Sequence, residues 1–353
     1  PMSPLKARLI KQITQMGPIA LSDYMAQCLL DPEFGYYINK NPFGGQGDFI
    51  TSPEISQMFG ELIGLGLAQY WLDIGAPDPF VLAELGPGTG TLISDLLRAT
   101  KSVPGFQQAA RISLIEAAPA MRARQKAKLH AYDIAWHADL SQIEDYPLFL
   151  VANEFFDALP IRQFMRTLSG WSETMIGLQE GDLIFGRGPQ CPPALLTGKW
   201  DITAPDDIIE TSAASAAIAQ EIGLKISKRG GLALIIDYGD IGGKNDTFQA
   251  MQNHTYVDAL QNPGQADLTA HVDFAALVAA SQPAVGFVMQ QGTWLLSLGI
   301  EARAQRLAQN LKGAGLKNHW AAMKRLTEPT GMGNLFKVLA LTAPKAPLAP
   351  GFV

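Results

Sequence analysis

A doubly wound, Rossmann-like α/β sheet is the fold class this 353-residue sequence predicts, with an N-terminal helical extension and an inserted antiparallel β meander. Three observations predict it. The apolar run Val81-Leu82-Ala83-Glu84-Leu85 passes into a three-glycine turn, Gly86-Pro87-Gly88-Thr89-Gly90, and then into an amphipathic helix pattern from Thr91 to Thr100. Further apolar runs alternate with helical periods, as they do when helices cover both faces of a parallel sheet. Residues 161–210 break that rhythm with short two-residue alternations and turn signals at Ser169-Gly170 and Glu180-Gly181-Asp182.

The elements are justified in order along the chain. Residues 1–78 form the extension, with helical periods at Leu5–Met16 and Leu21–Leu30. Asp31 to Asp48 is rich in Gly, Pro and Asn and reads as a loop or short hairpin. Ser52-Pro53-Glu54 reads as a helix start, with a hydroxyl cap, a proline in the first turn and an early acid. That helix is expected to run to Asp73, and its glycines, Gly60, Gly64 and Gly66, imply close packing. The main domain spans 79–343, with strands at 80–85, 111–116, 134–137 and 147–152. After the inserted meander come a helix at Ser212–Lys228 and an apolar strand at Gly231–Gly239. A Gly/Asn/Gln-rich loop fills 240–265, then helices at Asp273–Ala280 and Glu301–Leu311 and strands near 285–290 and 335–342. The Pro-rich tail, 344–353, is expected to fray.

Composition narrows the function class. The chain is 47% hydrophobic, enough for a large core, and its net charge of −6 with no basic run argues against a nucleic-acid partner. No apolar stretch reaches membrane-spanning length, and no secretory signal is visible. Two distant cysteines and five scattered histidines offer no metal-binding spacing.

The glycine turn carries the chemistry. Glycines let backbone approach a ligand and adopt conformations a side chain forbids. Dinucleotide sites space them G-x-G-x-x-G, so that a pyrophosphate meets the helix N-terminus. Here the spacing is G-x-G-x-G, with Glu84 two residues before the first glycine, which suits a cationic ligand better than a pyrophosphate. The pattern Glu84, Gly86, Pro87, Gly88, Gly90, Thr91 resembles motif I of the class I methyltransferases, whose cofactor is S-adenosyl-L-methionine. Glu116 ends the next strand, where a carboxylate can accept both ribose hydroxyls, a device NAD enzymes share. Asp139, beside Leu140, either meets an adenine amino group or caps a turn. Asn153 either bonds the cofactor's amino-acid end or closes its strand.

Taken together, the segments resemble the MidA-type methyltransferases, a family that includes the mitochondrial complex I assembly factor that methylates a protein arginine. The matching pieces are Phe34-Gly35-Tyr36-Tyr37, 47–56, Glu84–Gly90, Asn153–Pro160, Asp237-Tyr238-Gly239 and Thr269–Phe274. The resemblance implies a class I fold and a protein arginine N-methyltransferase. It further implies symmetric dimethylation of a core NADH:quinone oxidoreductase (complex I) subunit as the protein substrate, assisting its assembly. It implies a cytoplasmic protein in a bacterium and a mitochondrial-matrix one among eukaryotic relatives.

An arginine acceptor keeps its proton, so its nitrogens are poor nucleophiles. A carboxylate can hold two N–H groups, aim the third nitrogen and bias the charge away from it. Glu154, past the fourth strand, is the candidate for that role, as in the acidic loop of other arginine methyltransferases, and Asp157 is the candidate second acid. His271 would contact the substrate, take up a proton or serve structure alone. Asp48, Thr51, Ser52 and Glu54 belong to a segment expected to lie over the cofactor as a lid. Tyr36 and Tyr37 either wall an arginine pocket or pack. The alternative from another class is an assembly chaperone that binds the cofactor without turnover; a dehydrogenase is disfavoured by the glycine spacing.

Overall fold

The structure is a computed structural model that describes residues 2–39 and 50–352; Gly47, Asp48, Phe49 and half of the expected 31–48 loop lie outside the described residues. The N-terminal part holds α1 (Pro4–Met16), β1 (Ile19–Ala20), α2 (Leu21–Leu30), the single turn α3 (Tyr36–Asn39), α4 (Ser52–Ile55) and α5 (Gln57–Asp73). The expected continuous helix from Ser52 is therefore two helices. Ser56 breaks it by adopting extended backbone (φ −158°, ψ 135°), and its hydroxyl accepts the Met58 N–H to start α5. Thr51, not Ser52, occupies the cap position of α4.

The main domain begins with β2 (Phe80–Leu85), α6 (Thr91–Thr100), α7 (Phe106–Ala109), β3 (Ala110–Ile115), α8 (Pro119–Lys128), β4 (Ile134–His137) and β5 (Leu148–Asn153). The insert contributes β6 (Arg162–Arg166), β7 (Trp171–Gln179), β8 (Asp182–Cys191) and β9 (Ile208–Thr211). Then come α9 (Ala213–Arg229) and β10 (Gly231–Asp240). The expected 240–265 loop instead contains β11 (Gln249–Gln252) and β12 (Thr255–Val257), which join β13 (Asp267–Thr269) in a small antiparallel sheet. Its turn residues Asn253 and His254 both take positive φ, which conceals a hairpin within a polar stretch. The chain closes through β14 (Val272–Asp273), α10 (Phe274–Ala280), β15 (Val285–Gln290), α11 (Gln291–Ser297), α12 (Ile300–Ala308), α13 (Gly313–Thr327), α14 (Met332–Leu335) and β16 (Phe336–Thr342).

The main sheet runs β15-β16-β10-β5-β2-β3-β4, with β14 beside the end of β10. Strands β4, β3, β2, β5 and β10 are mutually parallel; β16 runs against them, and β15, antiparallel to β16, returns to their direction. Order reverses between β2 and β5, so their carboxyl ends open the crevice where sheets of this type bind ligands. Both sides of the sheet are apolar. One carries Leu82, Phe149 and Ile236 against α5 and α6, and the other carries Ala83, Leu150 and Ile235 against α9 and α10.

The α5 glycines admit α6. A Cβ at Gly60 would stand 2.8 Å from Asp95 Cβ, and one at Gly64 would stand 3.0 Å from the Leu96 carbonyl oxygen, whereas Gly66 faces only Leu298 at 3.8 Å. The N-terminal helices join the insert instead: β1 pairs with β7, and Leu9, Tyr24, Ile176 and Leu268 share one apolar core. The tail does not fray. Phe352 and Ala349 are buried beside Trp294, whose indole N–H donates to Pro350 O at 3.1 Å. Among the described residues no helix is long and apolar enough to cross a membrane.

Candidate active site

The turn after β2 supplies the floor of the crevice. Gly86, Gly88 and Gly90 all take positive φ (60°, 51° and 76°), the left-handed region open to glycine. A Cβ at Gly86 would stand 2.7 Å from the Phe155 ring, so the loop and the residue after Glu154 pack directly together. Gly90 is the cap residue of α6 and does not line the cavity. That cavity, about 30 Å³, is bounded by Thr51, Pro53, Glu54, Glu84, the loop 86–89, Thr91, Leu92, Asn153 and Glu154. It brings together most of the sequence-predicted cofactor residues and the acid predicted to face the acceptor.

Two buried oxygens there lack a partner: Glu84 Oε2 and Asn153 Oδ1. Burial pushes the Glu84 carboxyl up to about 8, since water no longer stabilises its charge. An unmatched acid and an unmatched carbonyl beside a glycine cradle fit the ammonium and amino-acid end of S-adenosylmethionine. Glu116 stands beyond the end of β3. One of its oxygens accepts the Ala118 N–H at 2.9 Å and the other accepts Gln125 Nε2–H at 3.2 Å. Burial raises its pKa as well. Gln125 also donates to the Gly88 carbonyl at 2.8 Å and accepts from the Trp136 indole at 3.0 Å. It thereby ties the glycine loop to Glu116, a role that a glutamine within a helical pattern does not announce in sequence.

α4 closes the crevice from above. Glu54 Oε1 accepts from the hydroxyls of Thr89 and Thr91, each at 2.6 Å. The Ser52 N–H donates to Glu154 Oε1 at 2.8 Å, and Asn153 Nδ2 adds a bond at 3.2 Å. One short helix therefore touches the glycine loop and Glu154 together. Thr51 lines the cavity at the head of that helix.

Glu154 is held in left-handed backbone (φ 50°), with its N–H bonded to Ile236 O at 2.9 Å. A non-glycine residue there is strained and persists because its surroundings fix it. Asp237, on β10, does part of the fixing: its Oδ2 accepts the N–H groups of Phe156 (3.0 Å) and Asp157 (3.2 Å). Burial raises the pKa of Glu154. Burial and then neighbouring carboxylates raise those of Asp157 and Asp237 well above the usual range. Asp267 joins this group from β13, where its Oδ1 accepts from the Tyr37 hydroxyl at 2.9 Å. Tyr238 bonds Asp157. None of the ion pairs among the described residues involves Glu84, Glu154, Asp157 or Asp237. The arrangement is a buried acidic wall next to a cofactor cradle.

Three predicted residues stand elsewhere. Asp139 caps the turn Leu140–Gln142 through Ser141 N (3.0 Å), and Leu140 packs in the apolar core, so neither lines the cavity. His271 lines a different cavity of about 230 Å³, between the insert and α10. Its Nδ1 lies 3.4 Å from Asp240 Oδ2, and its ring meets Tyr238 edge-on at 5.3 Å. Tyr36 is fully buried in the extension's core, and Tyr37 reaches the acidic wall. Thr89, Gln125, Asp237 and Asp267 stand beside the predicted residues, and sequence reasoning gave none of them a site role. Asp237 had a signal, the acid that ends the strongest apolar strand.

Comparison with known proteins agrees with this geometry. Residues 62–291 match the family described as "Putative S-adenosyl-L-methionine-dependent methyltransferase". The protein arginine methyltransferase NDUFAF7, mitochondrial, of Bos taurus is 35% identical, covering 96% of this chain and 83% of the relative. Its Homo sapiens counterpart is 34% identical over 97% and 84%. A Burkholderia thailandensis structure solved with S-adenosyl-homocysteine bound superposes with a TM-score of 0.85 at 28% identity, covering 98% of this chain and 93% of that one.

Proposed function

This chain belongs to that family of S-adenosyl-L-methionine-dependent methyltransferases, and we propose that its acceptor is an arginine side chain of a protein. The observation that carries the reading is the acidic wall beside the cofactor cradle, with Glu154 in both. The relatives' name, protein arginine methyltransferase, supports the acceptor class. The family resemblance supports a core subunit of NADH:quinone oxidoreductase as the substrate and symmetric dimethylation as the product.

When bound, S-adenosylmethionine supplies a methyl carbon made electrophilic by its sulfonium. The protein's work is to place one guanidinium nitrogen in line with it, and positioning of this kind contributes several kcal/mol. Glu84 and Asn153 would hold the amino-acid end, and Glu116 the ribose. Glu154 pairs with two guanidinium N–H groups and draws positive charge toward itself, leaving the third nitrogen electron-rich. The new N–C bond forms as the S–C bond breaks, and the methylated guanidinium gives up one proton. Asp157 and Asp237, whose surroundings favour the protonated form, keep their own protons, and the released one leaves to solvent.

Glu154→Gln keeps the shape and removes the charge. Turnover on the arginine-bearing substrate is expected to fall by at least about 100-fold, the scale of losing one preorganised electrostatic contact. Cofactor affinity, measured by calorimetry, is expected to stay within a few-fold, and Asp157→Asn is expected to cost less. Near-normal turnover in Glu154→Gln would remove this residue from the chemistry.

A further inference from the structure

We propose that the cleft between the inserted sheet and the small β11–β13 sheet holds the substrate's polypeptide, and that it selects an arginine with basic neighbours. The inference rests on the reading that arginine is the acceptor, and it adds the route and the sequence preference. The cleft encloses about 490 Å³. Phe185, Phe248 and Val257 give it apolar walls, with the two phenylalanine rings edge-on at 6.2 Å. Asp246 and Asp258 line it as exposed acids. Arg187 is the one base among its lining residues, and it is engaged with Thr174 Oγ1 at 2.8 Å.

Gln249 links the cleft to the acidic wall through hydrogen bonds. This side chain lines the cleft, and its Nε2 donates to the Tyr238 hydroxyl at 3.1 Å and to Thr269 Oγ1 at 3.2 Å. Tyr238 bonds Asp157 in turn. An extended segment in the cleft can send an arginine past Gln249 toward Asp157 and Glu154, neither of which joins an ion pair among the described residues. Side chains left in the cleft meet Asp246 and Asp258, so lysine or arginine beside the target gains attraction and glutamate meets repulsion. The apolar walls cover the backbone and aliphatic stems of such a segment.

The test uses two synthetic peptides with one arginine each, flanked by lysines or by glutamates. Binding is read by fluorescence anisotropy with S-adenosylhomocysteine present, and methyl transfer is read with labelled S-adenosylmethionine. The variant is Asp246→Asn with Asp258→Asn, which keeps the acceptor oxygens that bond Gln163, Phe248 and Leu260 while removing both charges. The parent is expected to bind the lysine-flanked peptide about tenfold or more tightly than the glutamate-flanked one, as two partly exposed charge pairs allow. The variant is expected to lose that preference with unchanged S-adenosylhomocysteine affinity. Equal binding of both peptides by the parent, or a preference retained in the variant, would overturn the proposal. The two readings separate cleanly. A preferred peptide that stays unlabelled upholds the cleft and removes arginine as acceptor, whereas labelled arginine without preference removes the cleft and upholds the acceptor.

Discussion

At Glu84 the fold puts an acid where water cannot reach it, and the consequence is measurable. In the free protein its carboxyl titrates near 8, so at pH 7 it is mostly protonated, yet holding a ligand ammonium group requires the charged form. Binding must then release a proton. Affinity for S-adenosylhomocysteine is expected to rise about tenfold per pH unit between pH 6.5 and 8, roughly 1.4 kcal/mol each, and to level off above 8. The sign for stability is opposite. A folded pKa raised above 4.5 means the contribution is complete below 4.5 and is lost as pH rises through 8. Calorimetric titration of the parent and Glu84→Gln across that range checks both. A pH-independent affinity in the parent would mean Glu84 does not meet the ammonium. Glu84, Glu116 and Glu154 were legible because each ends or follows an apolar run at the sheet's carboxyl edge. Gln125 and Gln249 were not, since a glutamine carries no pattern and acquires its role only when the fold brings its partners around it.

At the scale of elements, α4 links two sites that are distant in sequence, Ser52 bonding Glu154 102 residues on and Glu54 bonding the glycine loop. Glu54→Ala removes both hydroxyl bonds and frees one end of the helix. Cofactor affinity is expected to fall about tenfold, the effect of one or two charge-assisted hydrogen bonds, with faster amide exchange confined to residues 51–56. Unchanged affinity together with unchanged exchange would show that α4 is held by other contacts. The parallel strands were legible because strands buried on both faces read as continuous apolar runs. The β11–β12 hairpin was hidden because its turn is Asn253-His254 and its strands are short and polar. The break at Ser56 was hidden because a capping serine looks like any helical serine until its backbone extends. The tail was misjudged on its prolines, while its two buried apolar residues, Ala349 and Phe352, decide its placement.

For the whole molecule, the N-terminal helices, the insert and the β11–β13 sheet share a core apart from the cofactor-binding half, and Glu154 with its neighbouring acids lies where the two meet. Sequence spacing could identify the cofactor-binding half, because strand, glycine turn and helix follow one another along the chain. It could not assemble the other half, whose core draws on residues as distant as Leu9, Ile176 and Leu268. The expected division of labour is cofactor on one side, protein substrate on the other, and methyl transfer between them. The most direct measurement incubates the purified protein with isotopically labelled S-adenosylmethionine and a purified NADH:quinone oxidoreductase core subunit, then maps the label by fragment mass spectrometry. The expected result is label on a guanidinium nitrogen of one arginine, absent when Glu154→Gln replaces the parent. Label on lysine, on a carboxylate or on no residue, with S-adenosylmethionine bound normally, would contradict it.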